Sequence, residues 1–191
     1  MGETDDVNYG PLQALIGEWV GEEGVDIAPE PGGVETKPYF ETTTYSAVGG
    51  VTNAEKQNLA AVQYRQIVRR KSDRKVFHDE TGYWMWDPDT ETIMHSLSIP
   101  RGVCALAGGK YSGGKDPDGR LILEVAAKID DDNWKIIESP FMRENASTKS
   151  FRQRIVVGNG RLSYSETTMV EIYGKMFEHT DQNELVLGNA G

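Results

Sequence analysis

The sequence predicts an all-β protein, a single antiparallel β-barrel of about ten strands with a short N-terminal helix. Two observations support this fold class. Short segments rich in Val, Ile, Thr and Tyr alternate between apolar and polar residues, and compact turns of Gly, Pro, Asp and Asn separate them. So many strands with little helix between them favour a closed barrel, because closure leaves no unpaired edge strand.

The predicted elements follow in chain order. Residues 11–16 are the short-helix candidate, because Leu12, Leu15 and Ile16 share one face and Pro11 suits a first helical turn. We expect this helix to close one end of the barrel. The predicted strands cover residues 18–24, 39–48, 59–70, 76–87, 92–99, 103–111, 121–129, 134–138, 150–157 and 161–173.

The length of 191 residues allows one domain with a substantial core. We therefore expect residues 1–191 to form a single barrel domain, with residues 1–9 as a flexible N-terminus. Stretches rich in Gly, Pro or polar residues at 29–33, 50–58 and 112–119 indicate surface loops within that barrel rather than linkers between domains.

Composition excludes several classes of partner. The formal net charge is −10, which opposes binding to nucleic acid or to anionic membrane surfaces. Cys104 is the only cysteine, so an internal disulfide and a cysteine-based zinc site are excluded. No apolar run approaches the length of a membrane span, and the acidic N-terminus does not resemble a signal peptide. We expect a cytoplasmic monomer or homodimer that binds a small molecule.

The chain has three histidines, and a neutral imidazole is the commonest protein ligand for a metal or haem iron. If residues 76–86 form one regular strand, His78 shares a face with Glu80 and Trp84. His78 then either lines a pocket beside aromatic walls or pairs with a neighbouring carboxylate as an ordinary strand residue. Alternation alone does not decide which face is inside.

The other two histidines have different surroundings. His95 shares its side of a strand with Ile93, Leu97 and Ile99, which indicates a core residue that is hydrogen-bonded. His179 lies where the alternation fails, between Phe177-Glu178 and Thr180-Asp181, and the pattern alone indicates a solvated residue in a loop or C-terminal segment.

Several phrases, taken together and in order, resemble the nitrobindins, the THAP4-like haem-binding β-barrel family. They span nearly the whole chain, which makes the resemblance more specific than any single phrase. The phrases are Gly17-Glu18-Trp19-Val20-Gly21, Tyr39-Phe40-Glu41, Tyr64-Arg65-Gln66, His78-Asp79-Glu80-Thr81-Gly82-Tyr83, Gly102-Val103, Gly109-Lys110-Tyr111, Leu162-Ser163-Tyr164-Ser165 and the run from Met169 to His179.

The resemblance implies a lipocalin-like and fatty-acid-binding-protein-like barrel, here a longer, bacterial-type variant, that holds ferric haem b at one open end. It implies that His179 is the axial ligand of the iron and that His78 is a distal pocket residue, with Ile99 and Met169 lining the same cavity. It also implies nitric oxide binding and peroxynitrite isomerase activity, which converts peroxynitrite to nitrate at the haem iron, with no catalytic residue beyond the iron itself.

The sequence departs from the family pattern at two places. Ile27-Ala28-Pro29 stands where the family has a Tyr-Pro-Thr phrase near the haem, and Thr180 follows His179 where the family has Leu. A non-catalytic carrier of a fatty acid or another small hydrophobic ligand therefore remains an alternative function, since one cavity with aromatic walls serves either role.

Overall fold

The computed structural model describes residues 7–188, which form a closed barrel of antiparallel strands. A 3₁₀ helix, Gly10–Leu15, precedes the strands, and a short helix α1, Pro140–Asn145, interrupts them. The strands are β1 Gly17–Glu30, β2 Gly33–Asn53, β3 Gln57–Arg70, β4 Val76–Asp87, β5 Thr92–Ile99, β6 Val103–Lys110, β7 Leu121–Lys128, β8 Ile136–Glu138, β9 Ala146–Gly158, β10 Arg161–Ile172 and β11 Lys175–Leu187.

Ten of these strands form the ring, and the eleventh, β8, extends it at one end. Around the ring the order is β1, β2, β3, β4, β5, β6, β7, β9, β10 and β11, with β11 pairing back onto β1. Pairing between β5 and β6 closes the sheet. Strand β7 meets β6 at a single position, and β8 pairs with β6 at the other end of that strand. The predicted ten-stranded antiparallel barrel is thus confirmed.

The N-terminal 3₁₀ helix seals the apolar end of the barrel, as its sequence predicts. Leu12 and Leu15 are fully buried in the hydrophobic core. The indole nitrogen of Trp19 donates a 2.7 Å hydrogen bond to the carbonyl of Leu15, which ties the helix to β1. Val7 and Tyr9, which precede the helix, pack against the same core. The first six residues of the predicted flexible segment lie outside the described residues.

The barrel differs from the predicted elements mainly at its C-terminal end. The segment around His179 is strand β11 rather than a loop, and α1 was not predicted. Two predicted loops are largely hairpin, because β1 and β2 extend into residues 29–33 and β2 and β3 extend into residues 50–58. Residues 112–119 do form a loop.

One glycine directly shapes the interior of the barrel. A Cβ atom on Gly24 would overlap the ring of Tyr39, so only glycine lets that ring lie flat against β1. Among residues 7–188, no helix is long and apolar enough to cross a membrane.

Candidate functional site

One end of the barrel holds a cavity of about 390 Å³, within the usual range for small-molecule sites. Every ring strand except β7 contributes to its walls. His78 on β4 and His179 on β11 both face it, each with about a third of its side chain exposed. These strands lie four steps apart in a ring of ten, so the two imidazoles stand on nearly opposite walls.

His179 is paired with a buried carboxylate. Its Nε2 atom lies 2.5 Å from Oδ1 of Asp26, whose side chain is 7 % exposed. Among the described residues, Nδ1 of His179 has no hydrogen-bond partner. The ring therefore has one nitrogen fixed by a carboxylate and a second nitrogen available to a ligand.

His78 lines the cavity and is also paired with a carboxylate. Its Nε2 lies 3.6 Å from Oε2 of Glu80, which is buried, and Glu80 also accepts a 2.6 Å hydrogen bond from the hydroxyl of Tyr64. Burial alone would lower the pKa of His78, but Glu80 and then Asp181 outweigh burial and raise it above its usual value. Burial alone would raise the pKa of Glu80, but the hydrogen bond and charge of His78 outweigh burial and lower it.

A layer of tyrosines and carboxylates, which we call the polar floor, separates the cavity from the apolar core. Its members are Tyr39, Glu41, Tyr64, Glu80, Tyr164 and Asp181. Glu41 accepts hydrogen bonds of 2.8 Å from Thr43, Gln66, Tyr164 and Asn183. Tyr164 contacts Tyr39 at 2.7 Å, and the Tyr39 hydroxyl donates to Asp181 at the cavity surface. Tyr39, Glu41, Tyr164 and Asp181 thus form one hydrogen-bonded network, and Tyr64 and Glu80 form a separate pair beside it.

Burial raises the pKa of two carboxylates that line the cavity, Asp181 and Glu166. Burial raises the pKa of Asp181 to about 7, with support from the charges of Asp26 and Glu41 and opposition from the Tyr39 hydrogen bond. Burial, together with the charges of Glu80 and Asp181, raises the pKa of Glu166 well above its usual value. Because like charges at close range cannot all be ionised, the cavity carries less negative charge than its count of acids suggests.

His95 belongs to the core and not to the cavity. It is 1 % exposed and stacks on Trp84 with ring centroids 4.2 Å apart. Its inward position is as predicted, but its predicted hydrogen bond is absent, since neither ring nitrogen has a partner among the described residues. Burial lowers the pKa of His95 to about 4, against which Glu80 acts weakly.

His95 is expected to make folding sensitive to acid. In the unfolded chain its pKa is about 6.5, so between pH 6.5 and pH 4 the unfolded state takes up a proton that the folded state excludes. The stability due to neutral His95 is complete above pH 6.5 and is lost as the pH falls, by about 2–3 kcal/mol at pH 4.5. His95→Phe should remove this loss.

Urea unfolding of both proteins between pH 7 and pH 4.5 measures the effect, because other titrating groups cancel in the difference. His95→Phe should gain stability relative to the wild type as the pH falls. Parallel pH profiles would show that His95 is not kept neutral by its burial.

The remaining two sequence-predicted cavity residues have different outcomes. Ile99 lines the cavity on β5. Met169 does not, and this prediction is wrong: Thr168 and Val170 line the cavity, and Met169 between them points to the other side of β10 by strand alternation. The sequence also missed Asp26, because the predicted first strand ended before it.

In the described part of the chain, no group of three or more His, Cys, Asp or Glu side chains is arranged so that it could hold a metal ion by itself.

Comparisons with known proteins agree with this architecture. The family model described as the THAP4-like, haem-binding β-barrel domain matches residues 8–186, so the chain belongs to that family. The crystal structure of Rv2717c from M. tuberculosis is similar, with a TM-score of 0.69 and 22 % sequence identity, covering 96 % of this chain and 100 % of that one. At this identity the likeness shows the fold alone. A search of curated protein sequences gives no match.

Proposed function

We propose that the protein binds haem b in this cavity through His179 and handles reactive nitrogen species there, binding nitric oxide and isomerising peroxynitrite to nitrate at ferric haem. The observation that carries the proposal is the His179 imidazole, which faces the cavity with one nitrogen fixed by Asp26. Metal-ligating histidines commonly donate a hydrogen bond from the N–H of their other ring nitrogen to a carboxylate in this way. Membership of a haem-binding family supports the same assignment.

The cavity walls fit a flat apolar macrocycle with acidic substituents. Arg101 lines the cavity, is exposed and forms no ion pair with another described residue, so it is available to a haem carboxylate. Its position beside the cavity suits a contact with the carboxylates at the outer edge of the haem macrocycle. The larger apolar side chains of the lining are Val68, Phe77, Leu97, Ile99, Val103, Ile136, Met142, Phe151, Val170 and Ile172.

When bound, ferric haem would supply an iron site for nitric oxide and for the rearrangement of peroxynitrite, in which the O–O bond breaks and a new N–O bond forms within the same ion. The protein's residues provide the rest. His179 would hold the cofactor, the apolar wall would exclude water, and His78 on the opposite wall would be available to a bound ligand. Glu80 raises the pKa of His78 and so stabilises its imidazolium form, which can donate a hydrogen bond to an anion such as peroxynitrite.

His78→Leu is expected to keep haem but to slow the reaction of an anionic ligand. The variant removes a charged donor from the wall opposite His179 and leaves the His179–Asp26 pair intact. Loss of general acid or hydrogen-bond assistance commonly costs about 10²- to 10⁴-fold, and we expect the lower end for a donor that only orients its ligand. Rapid mixing of peroxynitrite with the haem-loaded proteins, followed by measurement of nitrate and nitrite, tests this.

Nitric oxide, which is uncharged, serves as the matched control ligand in the same experiment. Its binding should change much less than the peroxynitrite reaction. If His78→Leu loses haem as completely as a His179 variant does, the division of roles between the two histidines is wrong. If the haem-loaded wild type forms no more nitrate than free haem, the proposed activity is wrong.

The carrier alternative rests on the apolar part of the lining. Ten apolar side chains would suit an uncharged hydrophobic ligand. The carboxylate of a fatty acid would lie in a cavity that Asp26, Glu80, Glu166 and Asp181 line together with the cationic side chains of Lys37 and Arg101. The choice of haem over a fatty acid therefore depends on the His179–Asp26 pair rather than on the charge of the cavity.

A further inference from the structure

We infer that Asp26 is a positioning residue that fixes the orientation of the His179 imidazole and increases its electron donation to the haem iron. The inference rests on the proposed function, because it concerns the ligand that would hold the cofactor. It goes beyond that function in assigning a role to a carboxylate that the sequence analysis did not single out.

Strand β1 is built to bring Asp26 to the interior. Trp19 and Gly21 face inward in the first half of the strand. The pairing of β1 with β2 then shifts register between Gly21 and Gly24, and Gly24 and Asp26 are the next buried positions. Without this bulge, regular alternation would turn Asp26 to the outside of the barrel.

Asp26 has one polar contact in the described structure, and that contact is His179. The carboxylate is buried, and its neighbour on β2, Lys37, is paired instead with Glu35 at 2.6 Å. Burying a carboxylate is costly unless it has a partner, so a carboxylate whose partner is a single imidazole implies that the pair acts as a unit.

The chemical consequence follows from how imidazole binds metals. The hydrogen bond on one ring nitrogen determines which nitrogen carries the proton and which is free to ligate. A carboxylate acceptor makes the ligating nitrogen more basic than a neutral acceptor would, which strengthens the bond to iron and stabilises the ferric state. Asp26 therefore does more than fill space beside His179.

Asp26→Asn keeps the size of the side chain and removes its charge. We expect ferric haem to bind about 10- to 100-fold more weakly, as is typical when the partner of a metal-ligating histidine is removed. The midpoint potential should rise, and the iron–imidazole stretching frequency of the ferrous protein, measured by resonance Raman spectroscopy, should fall. Asp26→Glu restores a carboxylate and should recover part of both changes.

Glu80→Gln is the matched control, because it removes an ionised carboxylate from the same cavity without contacting His179. It should leave the iron–imidazole stretch unchanged. If Asp26→Asn and Glu80→Gln shift the iron–imidazole stretching frequency equally, the inference is overturned, because the effect then comes from the overall charge of the cavity.

Two other outcomes separate the inference from the proposed function. If a folded Asp26→Asn protein keeps the haem affinity, midpoint potential and iron–imidazole stretching frequency of the wild type, Asp26 does not have the proposed role, although the protein still binds haem. Absence of haem binding by the wild type would overturn both.

Discussion

His179→Ala is expected to abolish tight binding of ferric haem while the barrel remains folded. The variant removes the imidazole that faces the cavity with a free ring nitrogen, and no other histidine stands on that wall. His179 is a third exposed, so the loss of packing is small. Absorption titration should show no saturable Soret change, and circular dichroism should show an unchanged β fold.

His95→Phe is the matched control for this experiment, because it also removes one imidazole from the barrel but from the core rather than the cavity. It should bind haem as the wild type does. A His179→Ala protein with the wild-type Soret band and affinity would contradict the assignment of the axial ligand.

Glu41→Ala is expected to cause the largest loss of stability among the changes considered, about 3–5 kcal/mol. Glu41 is 4 % exposed and accepts four hydrogen bonds, and its removal leaves several buried donors without an acceptor. Each such donor costs about 1–3 kcal/mol, reduced where it finds another partner, as Tyr164 does with Tyr39. Urea unfolding measures the change.

The control is Glu184→Ala, which removes a carboxylate of the same size from the exposed surface. Glu184 pairs with Arg161 at 3.4 Å with both side chains largely exposed, and such pairs contribute at most about 1 kcal/mol. If both variants unfold at the same urea concentration, the polar floor does not stabilise the barrel as its hydrogen bonds indicate.

The barrel itself could be predicted from the sequence because its core strands alternate clearly. Strand β11 could not, and its interior face explains why. Three of the four inward-facing residues are polar, so apolar and polar residues do not alternate along this strand. These four residues are His179, Asp181, Asn183 and Leu185. Only the resemblance to a known family identified His179, since the pattern of this segment indicated a solvated loop.

The polar floor was missed for the same reason, although β2 contains a signal for it. Tyr39, Glu41, Thr43 and Tyr45 are buried at every second position. Judged by polarity alone, the carboxylate of Glu41 suggests that this face of β2 points to solvent. Tyrosines on both flanks of Glu41 mark it instead as part of an interior network, because strand alternation puts all four on one face.

Two site residues depended on details of register. Met169 was assigned to the cavity by its resemblance to a family position, but its neighbours Thr168 and Val170 are the ones that line it. Asp26 is interior only because of the bulge in β1. A one-residue slip reverses which face a side chain occupies, and sequence alone did not reveal either shift.

The central claim is that this cavity takes up haem, and titration of the cofactor-free protein with ferric haem tests it most directly. A folded barrel can be isolated without its ligand and is then stabilised by mass action when the ligand binds. The account predicts a saturable one-to-one change in the Soret region and a raised melting temperature. Neither change, together with a melting temperature raised by a fatty acid, would contradict it and establish the carrier function instead.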